Sequence, residues 1–345
     1  MKQTNMTSRE IITRIMERKD APRIGFGFNH PYQNDIRWQA IAGFENPNEQ
    51  YSKWGRYPEI LAKVPGFKGE VRVDQVGNIC GRVGIDHNGE CIKGILQDDW
   101  ELLDSFEFPQ FDQAKIEKLR AANLDKSEKF VACVPPVSVF STLRDARLMD
   151  NALMDTVLEP EYVCQFLEKV QGVLLKSVDL AHSIGGQALF IYDDWGMQHA
   201  PFISPNSFAK LFKPVYKAVA DELHNRNMKL FLHSCGLVWD FIPHFIEAGI
   251  DVLQFDQPEL SGSENLARTF GKQVTIYSPV DIQKIMATGN RELIEATAHN
   301  MVEVFKKYAD GALIAKDYPT WEDIQIKQEW ATWARDIFLE EGWNF

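Results

Sequence analysis

Cysteine is scarce in this sequence and long apolar runs are missing, and both absences narrow the choice of protein class. The chain has five cysteines at scattered positions: Cys80, Cys91, Cys133, Cys164 and Cys235. An odd and scattered set does not predict the disulfide framework of small secreted domains. No apolar run reaches the roughly 20 residues of a membrane-spanning helix, and residues 1–23 lack the apolar core of a signal peptide. We therefore expect a soluble, cytoplasmic protein with no membrane partner.

Positive charge is also in short supply. Lysines and arginines total 37 against 49 aspartates and glutamates, which gives a net charge of -12 and an isoelectric point near 5.2. An acidic protein of this kind is poorly suited to bind a phosphate backbone, so nucleic acid is excluded as a partner. No Gly-x-Gly-x-x-Gly segment follows a predicted strand, which argues against a dinucleotide-binding Rossmann fold.

The sequence does contain a regular alternation of short apolar strands and amphipathic helices. Seven segments predict strands: 23–28, 129–134, 188–192, 229–232, 252–255, 274–277 and 312–315. Between them, Glu159-Pro160 and Ser204-Pro205 predict helix starts, and Pro214 predicts a kink inside the second of these helices. Strands that alternate with helices of this length predict a parallel sheet with right-handed crossovers.

The number of these units decides between two parallel architectures. The 345 residues are 45% hydrophobic and contain no repeat and no linker, which predicts one domain over residues 1–345. Seven or eight strand–helix units over about 320 residues favour a single (β/α)8 TIM barrel, an α/β fold, over an open sheet. Residues 1–125 would then form an irregular N-terminal extension with the first strand, and residues 126–345 the regular units.

The strand at 229–232 ends in a histidine and a cysteine two residues apart, followed by a glycine. Strand residues alternate between faces, so His233 and Cys235 are expected to point the same way at the carboxyl end of the strand. Imidazole nitrogen and thiolate sulfur are ligands that zinc favours, which makes this pair a candidate half-site. The alternative is a buried thiol beside a hydrogen-bonded histidine.

Five other strands end in polar residues in the same way. These ends are 29–35, 192–195, 256–259, 278–281 and 316–318. In a barrel, the carboxyl ends of all strands meet at one mouth, where the chemistry of such enzymes takes place. Asp193 and Asp194 are neighbours on a strand, so one faces the axis and the other is expected to hold a loop amide or a helix terminus. Asp281 and Ser204 could serve as helix caps only, whereas Tyr192 and Trp195 could form the wall of an aromatic pocket.

Several of these segments together resemble the uroporphyrinogen decarboxylase-like superfamily in order and spacing. The matching segments are Asp193-Asp194-Trp195-Gly196, Ile203-Ser204-Pro205, Leu232 to Gly236, Glu247 to Asp251 and Val280-Asp281. The resemblance extends over residues 130–320, and more weakly over Asp74 to Asn78 and Phe106 to Pro109. It implies a (β/α)8 barrel, in agreement with the pattern of strands and helices.

The superfamily contains two main activities, and one segment helps to choose between them. Porphyrinogen decarboxylases carry an Arg-Gln-Ala-Gly-Arg segment after the first strand, whereas residues 28–33 here read Phe-Asn-His-Pro-Tyr-Gln. Without that arginine cluster the chain is poorly equipped to bind a polycarboxylate. The His-x-Cys-Gly segment instead resembles corrinoid-dependent methyltransferases. Asp-Asp-Trp-Gly resembles the branch that O-demethylates methoxylated aromatics.

The chain departs from this family pattern at the third zinc ligand. Members that activate thiols carry a second cysteine after the last strand, where this sequence has Lys316-Asp317 and no cysteine follows Cys235. The resemblance therefore leaves two alternatives. A carboxylate such as Asp317, Asp256 or Glu259 completes a zinc site, or the metal has been lost.

The resemblance implies a methyltransferase that acts between a small O-methyl compound and the cobalt of a corrinoid bound to a separate protein. Four residues are expected to carry the chemistry: His233, Cys235, Asp193 and Lys316. Five are expected to bind substrate: Asn29, His30, Tyr192, Gln257 and Asp256. Two alternatives stay open, a porphyrinogen-type decarboxylase and a non-catalytic binding protein on the same barrel. The oligomeric state is also open, with a homodimer as one alternative.

Overall fold

The computed structural model describes residues 4–84, 89–318 and 324–343. Its strands are β1 Gly25–Gly27, β2 Ile36–Ala40, β3 Glu70–Val73, β4 Ile79–Arg82, β5 Glu90–Lys93, β6 Phe130–Val134, β7 Ala188–Tyr192, β8 Lys229–His233, β9 Val252–Gln254, β10 Thr275–Ser278 and β11 Leu313–Lys316. Eight of them pair in the order β1-β11-β10-β9-β8-β7-β6-β2, and every pairing in this sheet is parallel. The sheet curls into a nearly closed barrel, which confirms the predicted fold class.

Helices surround the barrel and connect its strands. They are α1 Ser8–Glu17, α2 Pro58–Leu61, α3 Gln113–Arg120, α4 Phe140–Arg147, α5 Met149–Leu158, α6 Pro160–Ser183, α7 Pro205–Leu211, α8 Lys213–Asn225, α9 Ile242–Glu247, α10 Ser263–Phe270, α11 Arg291–Ala309 and α12 Gln328–Glu341. The helix expected to kink at Pro214 is divided into α7 and α8, with Pro214 in the first turn of α8. None of the described helices combines the length and the apolar character needed to cross a bilayer.

All seven predicted strands are present in the barrel, with bounds that differ by one or two residues at some ends. The eighth strand, β2, was not predicted from the sequence. Only Ile36 of its five residues is buried, and the strand includes the exposed Arg37, so it shows no apolar run. Its place in the sheet comes from parallel pairing with β6, a contact between residues about ninety positions apart.

A buried ion pair joins the two ends of the sheet. The guanidinium of Arg23, which precedes β1, donates two hydrogen bonds of 2.7 and 2.8 Å to Asp35, which precedes β2. Asp35 also accepts the backbone N–H of Phe26 at 2.8 Å and the hydroxyl of Ser8 at 2.7 Å. A charge removed from water needs partners of this kind. The pair therefore fixes β1 against β2 and helps to close the barrel.

The amino-terminal end of the barrel is closed by α1. The backbone N–H of Arg9 donates to Glu128 O, just before β6, and the Arg18 side chain donates to Gly271 O, before β10. The apolar side of α1 packs on the residues that fill the barrel: Phe130, Ala132, Ala188, Phe190, Phe231, Val252, Tyr277 and Ile314. Gly25 allows this approach, because a Cβ there would lie 2.7 Å from Ile12 Cδ1. The carboxyl end is left as the open mouth.

The three remaining strands form a small antiparallel sheet beside the mouth, in the order β3-β4-β5. Immediately after β5, Gly94 lies against the backbone of α4, where an added Cβ would lie 2.2 Å from Ala146 O. The backbone N–H of Leu96 donates to the same carbonyl at 2.9 Å. The small sheet is thereby held against α4.

Replacement of Ile12 by alanine tests the role of α1. Ile12 is fully buried, so Ile12→Ala should lower the free energy of unfolding by about 2–5 kcal/mol through lost burial and a residual cavity. Val157, which is 73% exposed, is the control, and Val157→Ala should change stability by less than about 0.5 kcal/mol. Urea denaturation measures both. Equal effects of the two substitutions would contradict the packing described for α1.

Candidate functional site

Polar side chains occupy the last inward-facing layer of the barrel. Tyr192 on β7, His233 on β8 and Gln254 on β9 are direct partners in the strand register. They lie two residues beyond the apolar positions that fill the barrel, so the alternation of strand faces brings them inside. These three side chains form a row across the mouth.

His233, Cys235 and Asp194 form a compact cluster at this mouth. Their ligand atoms all lie within 4.8 Å of one another. His233 Nε2 is 3.4 Å from Cys235 Sγ and 3.3 Å from Asp194 Oδ1. The side chain of His233 is 12% exposed and that of Asp194 is 42% exposed, so the cluster opens toward solvent on the Asp194 side.

A chain of hydrogen bonds sets the orientation of the His233 ring. Lys316 Nζ donates to Asp256 Oδ1 at 2.7 Å, and Gln254 Nε2 donates to the same oxygen at 2.8 Å. With its amide nitrogen held by Asp256, Gln254 presents its oxygen to His233 Nδ1. Because that oxygen can only accept, Nδ1 must carry the proton. The other ring nitrogen, Nε2, faces Cys235 and Asp194.

The charges of the cluster follow from burial and from these contacts. Burial alone would raise the pKa of Asp194, but the hydrogen bond and charge of His233 outweigh it and lower the pKa to about 2. For His233, burial opposes protonation, yet Asp194 and Asp256 raise the pKa above its usual value. Burial, followed by the charge of Asp194, raises the pKa of the Cys235 thiol. The protein alone therefore favours an ionised Asp194 and a protonated thiol.

Two glycines, Gly196 and Gly236, lie beneath the cluster where two backbone segments contact each other. Gly236 has a φ of +80°, and a Cβ there would lie 2.1 Å from Gly196 O. The backbone N–H of Gly196 donates to Cys235 O at 3.2 Å, and that of Cys235 donates to Asp194 Oδ1 at 2.8 Å. The Gly residues of the Asp-Asp-Trp-Gly and His-Ser-Cys-Gly segments are thus explained by close contact between two backbones.

Asp193 points away from the cluster and holds the start of α4. Its carboxylate accepts the backbone N–H groups of Val139 and Ser141 at 2.8 and 2.7 Å and the hydroxyl of Tyr216 at 2.6 Å. It is fully buried, and burial raises its pKa. This arrangement agrees with the expectation that one of the two aspartates would hold a helix terminus. Asp193 was the aspartate expected to be catalytic, but the one beside His233 and Cys235 is Asp194.

Trp195 does not line the mouth, although the sequence suggested an aromatic wall there. The indole is fully buried, stacks on Phe140, and donates to Tyr216 Oη at 3.0 Å. Tyr192, by contrast, is 43% exposed, with its ring 5.5 Å from that of His233. Of the two expected wall residues, Tyr192 is the one beside the cluster.

The carboxylates expected as a third ligand are engaged elsewhere. Asp317 accepts a 3.0 Å hydrogen bond from the buried Arg335, and Glu259 accepts hydrogen bonds from the side chain and backbone of Ser263. Asp256 is bound by Lys316 and Gln254, as described above. The group that joins His233 and Cys235 is Asp194, which lies on the neighbouring strand connection.

The other expected substrate-binding residues lie around the rim. Asn29 donates its side-chain amide to Tyr318 O at 2.9 Å and its backbone N–H to Asp317 at 3.2 Å. His30 is exposed. Gln257 accepts the backbone N–H of Gly236 at 3.2 Å and so supports the turn after Cys235. Asn29 and Gln257 therefore hold loops of the mouth in place.

The cluster offers one nitrogen, one sulfur and one oxygen donor, a set that suits zinc. Tetrahedral zinc, with bonds of about 2.0–2.3 Å, places its ligand atoms about 3.3–3.8 Å apart. The separations from His233 Nε2 to the other two donors, 3.4 and 3.3 Å, agree with this spacing. The oxygen of Gln254 on Nδ1 is the type of outer contact that orients a histidine ligand. Three protein ligands would leave a fourth position for a substrate.

Gln254 was missed in the reading of the sequence, although a signal was present. It is an amide inside the apolar strand β9, and it is 2% exposed. A buried amide needs hydrogen-bond partners, and the strand alternation places it on the same face as Asp256. What the sequence could not reveal is that this face adjoins His233.

The geometry defines a parallel α/β barrel with a nitrogen, sulfur and oxygen donor cluster at the carboxyl ends of its strands. The family model of uroporphyrinogen decarboxylase (URO-D) matches residues 107–315, which is more than half of the chain. The protein belongs to this family. The resemblance seen in the motifs is thereby confirmed.

Solved structures align with the chain at low sequence identity, and one of them has a TM-score above 0.5. A methyltransferase from Methanosarcina mazei aligns over 97% of this chain and 99% of its own, with 12% identity and a TM-score of 0.63. D-psicose 3-epimerase aligns over 70% of this chain and 85% of its own, with 8% identity and a TM-score of 0.42. No curated protein sequence matches the chain.

Replacement of Gly236 by alanine tests the close contact between the backbones at Gly236 and Gly196. Gly236→Ala should lower the free energy of unfolding by about 2 kcal/mol or more, because the left-handed backbone and the Gly196 carbonyl both oppose a Cβ. Gly172 in α6 has nothing within 4 Å of the same added atom. Gly172→Ala, the control, should be neutral or stabilising by up to about 1 kcal/mol. If Gly236→Ala behaves like this control in urea denaturation, the turn is not as tight as described.

Proposed function

We propose that this protein transfers a methyl group between a small O-methyl compound, a methoxylated aromatic in the first instance, and the cobalt of a corrinoid carried by a partner protein. The observation that carries the proposal is the cluster of His233, Cys235 and Asp194 at the barrel mouth. It is a polar site in which a displaced oxygen can be stabilised. Beside it, the exposed ring of Tyr192 offers a surface for a flat substrate.

The fold comparison supports the reaction class. The Methanosarcina mazei structure that aligns with nearly the whole of both chains is described as a methyltransferase. The motif resemblance to corrinoid-dependent methyltransferases supports the same reaction independently of that alignment. Neither observation identifies the methyl donor, so the substrate class is our inference from the site.

Zinc fits the donor set and would be held by His233, Cys235 and Asp194. Bound there, it would act as a Lewis acid toward an oxygen of the substrate and favour the thiolate of Cys235. Replacement of the second cysteine of the thiol-activating enzymes by a carboxylate makes the donor set harder. This change suits an oxygen substrate better than a thiol substrate.

The residues of the chain then have separate tasks in the transfer. In the proposed transfer, the bond between the methyl carbon and its oxygen would break with its electron pair on that oxygen, and the corrinoid of the partner would accept the methyl group. Lys316, an ammonium group held by Asp256, can supply positive charge and a proton to the departing oxygen. Tyr192 orients the ring that carries the methoxy group, and the loops held by Asn29 and Gln257 shape the opening.

The rim of the barrel suits contact with a second protein. Two large apolar side chains beyond the strand ends are exposed there, Tyr32 at 37% and Met197 at 50%. Together with Tyr192 they offer apolar side chains that a partner protein could cover. A corrinoid held by a partner protein must reach into the mouth. Apolar side chains on the rim would then contact that partner protein.

The family name favours a second candidate, decarboxylation of a porphyrinogen. Substrates of that kind carry several carboxylates and require free cations. Here Lys316 is paired with Asp256 and Arg335 with Asp317, and residues 28–33 contain no arginine. Decarboxylation is therefore the weaker candidate. A non-catalytic binding protein is separated from both enzymes by the turnover assay below.

The metal prediction is one zinc ion per chain when the protein is purified without chelator and then supplemented with zinc. Cys235→Ala and Asp194→Ala should each abolish stoichiometric binding, because each removes a donor atom. Gln254→Leu should weaken binding about 10–100-fold, because the outer contact to His233 is lost. Glu259→Gln, the control, should retain zinc. Elemental analysis of each variant is the measurement, and less than about a tenth of an equivalent in the unmodified protein would refute the site.

The reaction prediction concerns transfer to reduced corrinoid. With free cob(I)alamin or a cognate corrinoid protein and a methoxylated phenol, the enzyme should form methylcobalamin, visible in the absorption spectrum. His233→Ala and Cys235→Ala should each slow this transfer at least ~10²-fold, as expected for loss of charge stabilisation at the leaving oxygen. Asn29→Ala should raise KM more than it lowers kcat, because Asn29 holds a loop.

Cys164→Ser is the matched control, since Cys164 lies on α6, outside the cluster. Full activity in both cluster variants would indicate that Lys316, rather than the cluster, acts on the departing oxygen. Failure to form methylcobalamin with any methyl compound, together with release of carbon dioxide from a porphyrinogen, would establish decarboxylation instead.

A further inference from the structure

A second pair of reactive groups lies on the small antiparallel sheet, outside the barrel site. Cys80 on β4 and Cys91 on β5 are direct partners in the strand register. Their sulfur atoms are 3.0 Å apart. A disulfide requires a separation of about 2.05 Å, so a movement of about 1 Å would join them. Cross-strand position and sulfur separation thus already approach those of a bonded pair.

Small molecules can reach this pair from a cavity of about 600 Å³. Both thiols line the cavity, together with Arg72 on β3 and with Arg144 and Asp145 on α4. The other cysteines differ in this respect. Cys133 is fully buried in the main core, and Cys164 is on the outer helix α6. Cys80 is buried and Cys91 is half-buried, and the two sulfurs face each other where both residues border this cavity.

The surroundings favour one sulfur as the nucleophile and the other as the proton donor. The hydrogen bond from the Cys91 thiol, assisted by the positive charge of Arg72, lowers the pKa of Cys80. The Cys91 thiol also contacts the carboxylate of Asp145, which can accept a proton. Because the thiolate is the reactive form, Cys80 is the sulfur that would attack first.

A metal ion is a less suitable occupant of this place. A carboxylate oxygen of Asp74 and the two sulfurs lie within 4.8 Å of one another. Its Oδ1 accepts the backbone N–H groups of Val76, Gly77 and Asn78, and its Oδ2 accepts the Asn78 side chain at 2.7 Å. Asp74 therefore stabilises the loop between β3 and β4. Two sulfurs alone fall short of the three or four ligands that zinc takes from proteins.

We infer that Cys80 and Cys91 form a redox-active thiol pair that closes reversibly to a disulfide by exchange with small-molecule disulfides entering the cavity. The site is separate from the barrel cluster and does not rest on the function proposed for it. Disulfides of this kind in reducing compartments are transient rather than structural.

The exchange balances in two steps. The Cys80 thiolate attacks one sulfur of a small disulfide, forms a mixed disulfide and releases one thiolate. Cys91 then gives its proton to Asp145, attacks the sulfur of Cys80 and releases the second thiolate. Each released thiolate takes up one proton. The small disulfide is reduced to two thiols, and the protein loses two hydrogens.

The experiment uses the whole, unmodified protein with glutathione as the probe. Protein reduced under anaerobic conditions is equilibrated in glutathione buffers that range from fully reduced to fully oxidised. Free thiols are trapped with N-ethylmaleimide, and peptides are identified by mass spectrometry. The number of free thiols should fall from five to three, with Cys80 and Cys91 joined and Cys133 and Cys164 still free.

Two variants sharpen the result. Cys91→Ser should stop the exchange at the first step, with one glutathione on Cys80, whereas Cys164→Ser should still lose two thiols. Persistence of all five free thiols in oxidised glutathione would overturn the inference, as would a bond from either cysteine to Cys235. Protection of the pair by added zinc, with one metal bound and no disulfide formed, would show a metal site instead. The wild-type mapping decides even if Cys91→Ser fails to fold.

Discussion

The in-register parallel pairing of β7, β8 and β9 is the constraint on which the candidate site depends. Partners on neighbouring parallel strands face the same way, so Tyr192, His233 and Gln254 form one row inside the barrel. A shift of one strand by a single residue would turn its member of the row outward. The buried apolar layer below the row opposes such a shift, because the same movement would turn the apolar side chains of that strand out of the barrel interior. The packing of the core thus determines where the polar chemistry lies.

The row is stabilised by hydrogen bonds that satisfy one another. Lys316 and Asp256 form an ion pair with little solvent exposure. Asp256 accepts the amide N–H of Gln254, and the amide oxygen of Gln254 accepts the Nδ1–H of His233. Each of these four side chains has a hydrogen-bond partner, which buried polar groups require. The protonation of His233 Nδ1 is therefore decided by an ion pair two side chains away. On the other side of the ring, Nε2 faces Cys235 and Asp194.

Local patterns in the sequence predicted the barrel strands except for β2, because apolar runs, helix caps and prolines act within a few residues. β2 lacks such a run, since its partial burial comes from β6 and the barrel interior rather than from its own composition. The alternation of strand faces likewise predicted that Asp193 and Asp194 would separate. Which of them faces the axis depended on the start of α4, whose backbone N–H groups bind Asp193.

By itself, the sequence determined that polar side chains end successive parallel strands, and hence that His233 and Cys235 would share a mouth. Tertiary structure decided the partners. Asp194, rather than Asp317 or Glu259, joins the cluster because Arg335 and Ser263 engage those two carboxylates. The facing of Cys80 and Cys91 also follows from strand register. Hydrogen bonds and ion pairs between residues far apart in sequence depend on where the backbone brings them together, and short-range periodicity contains no information on that.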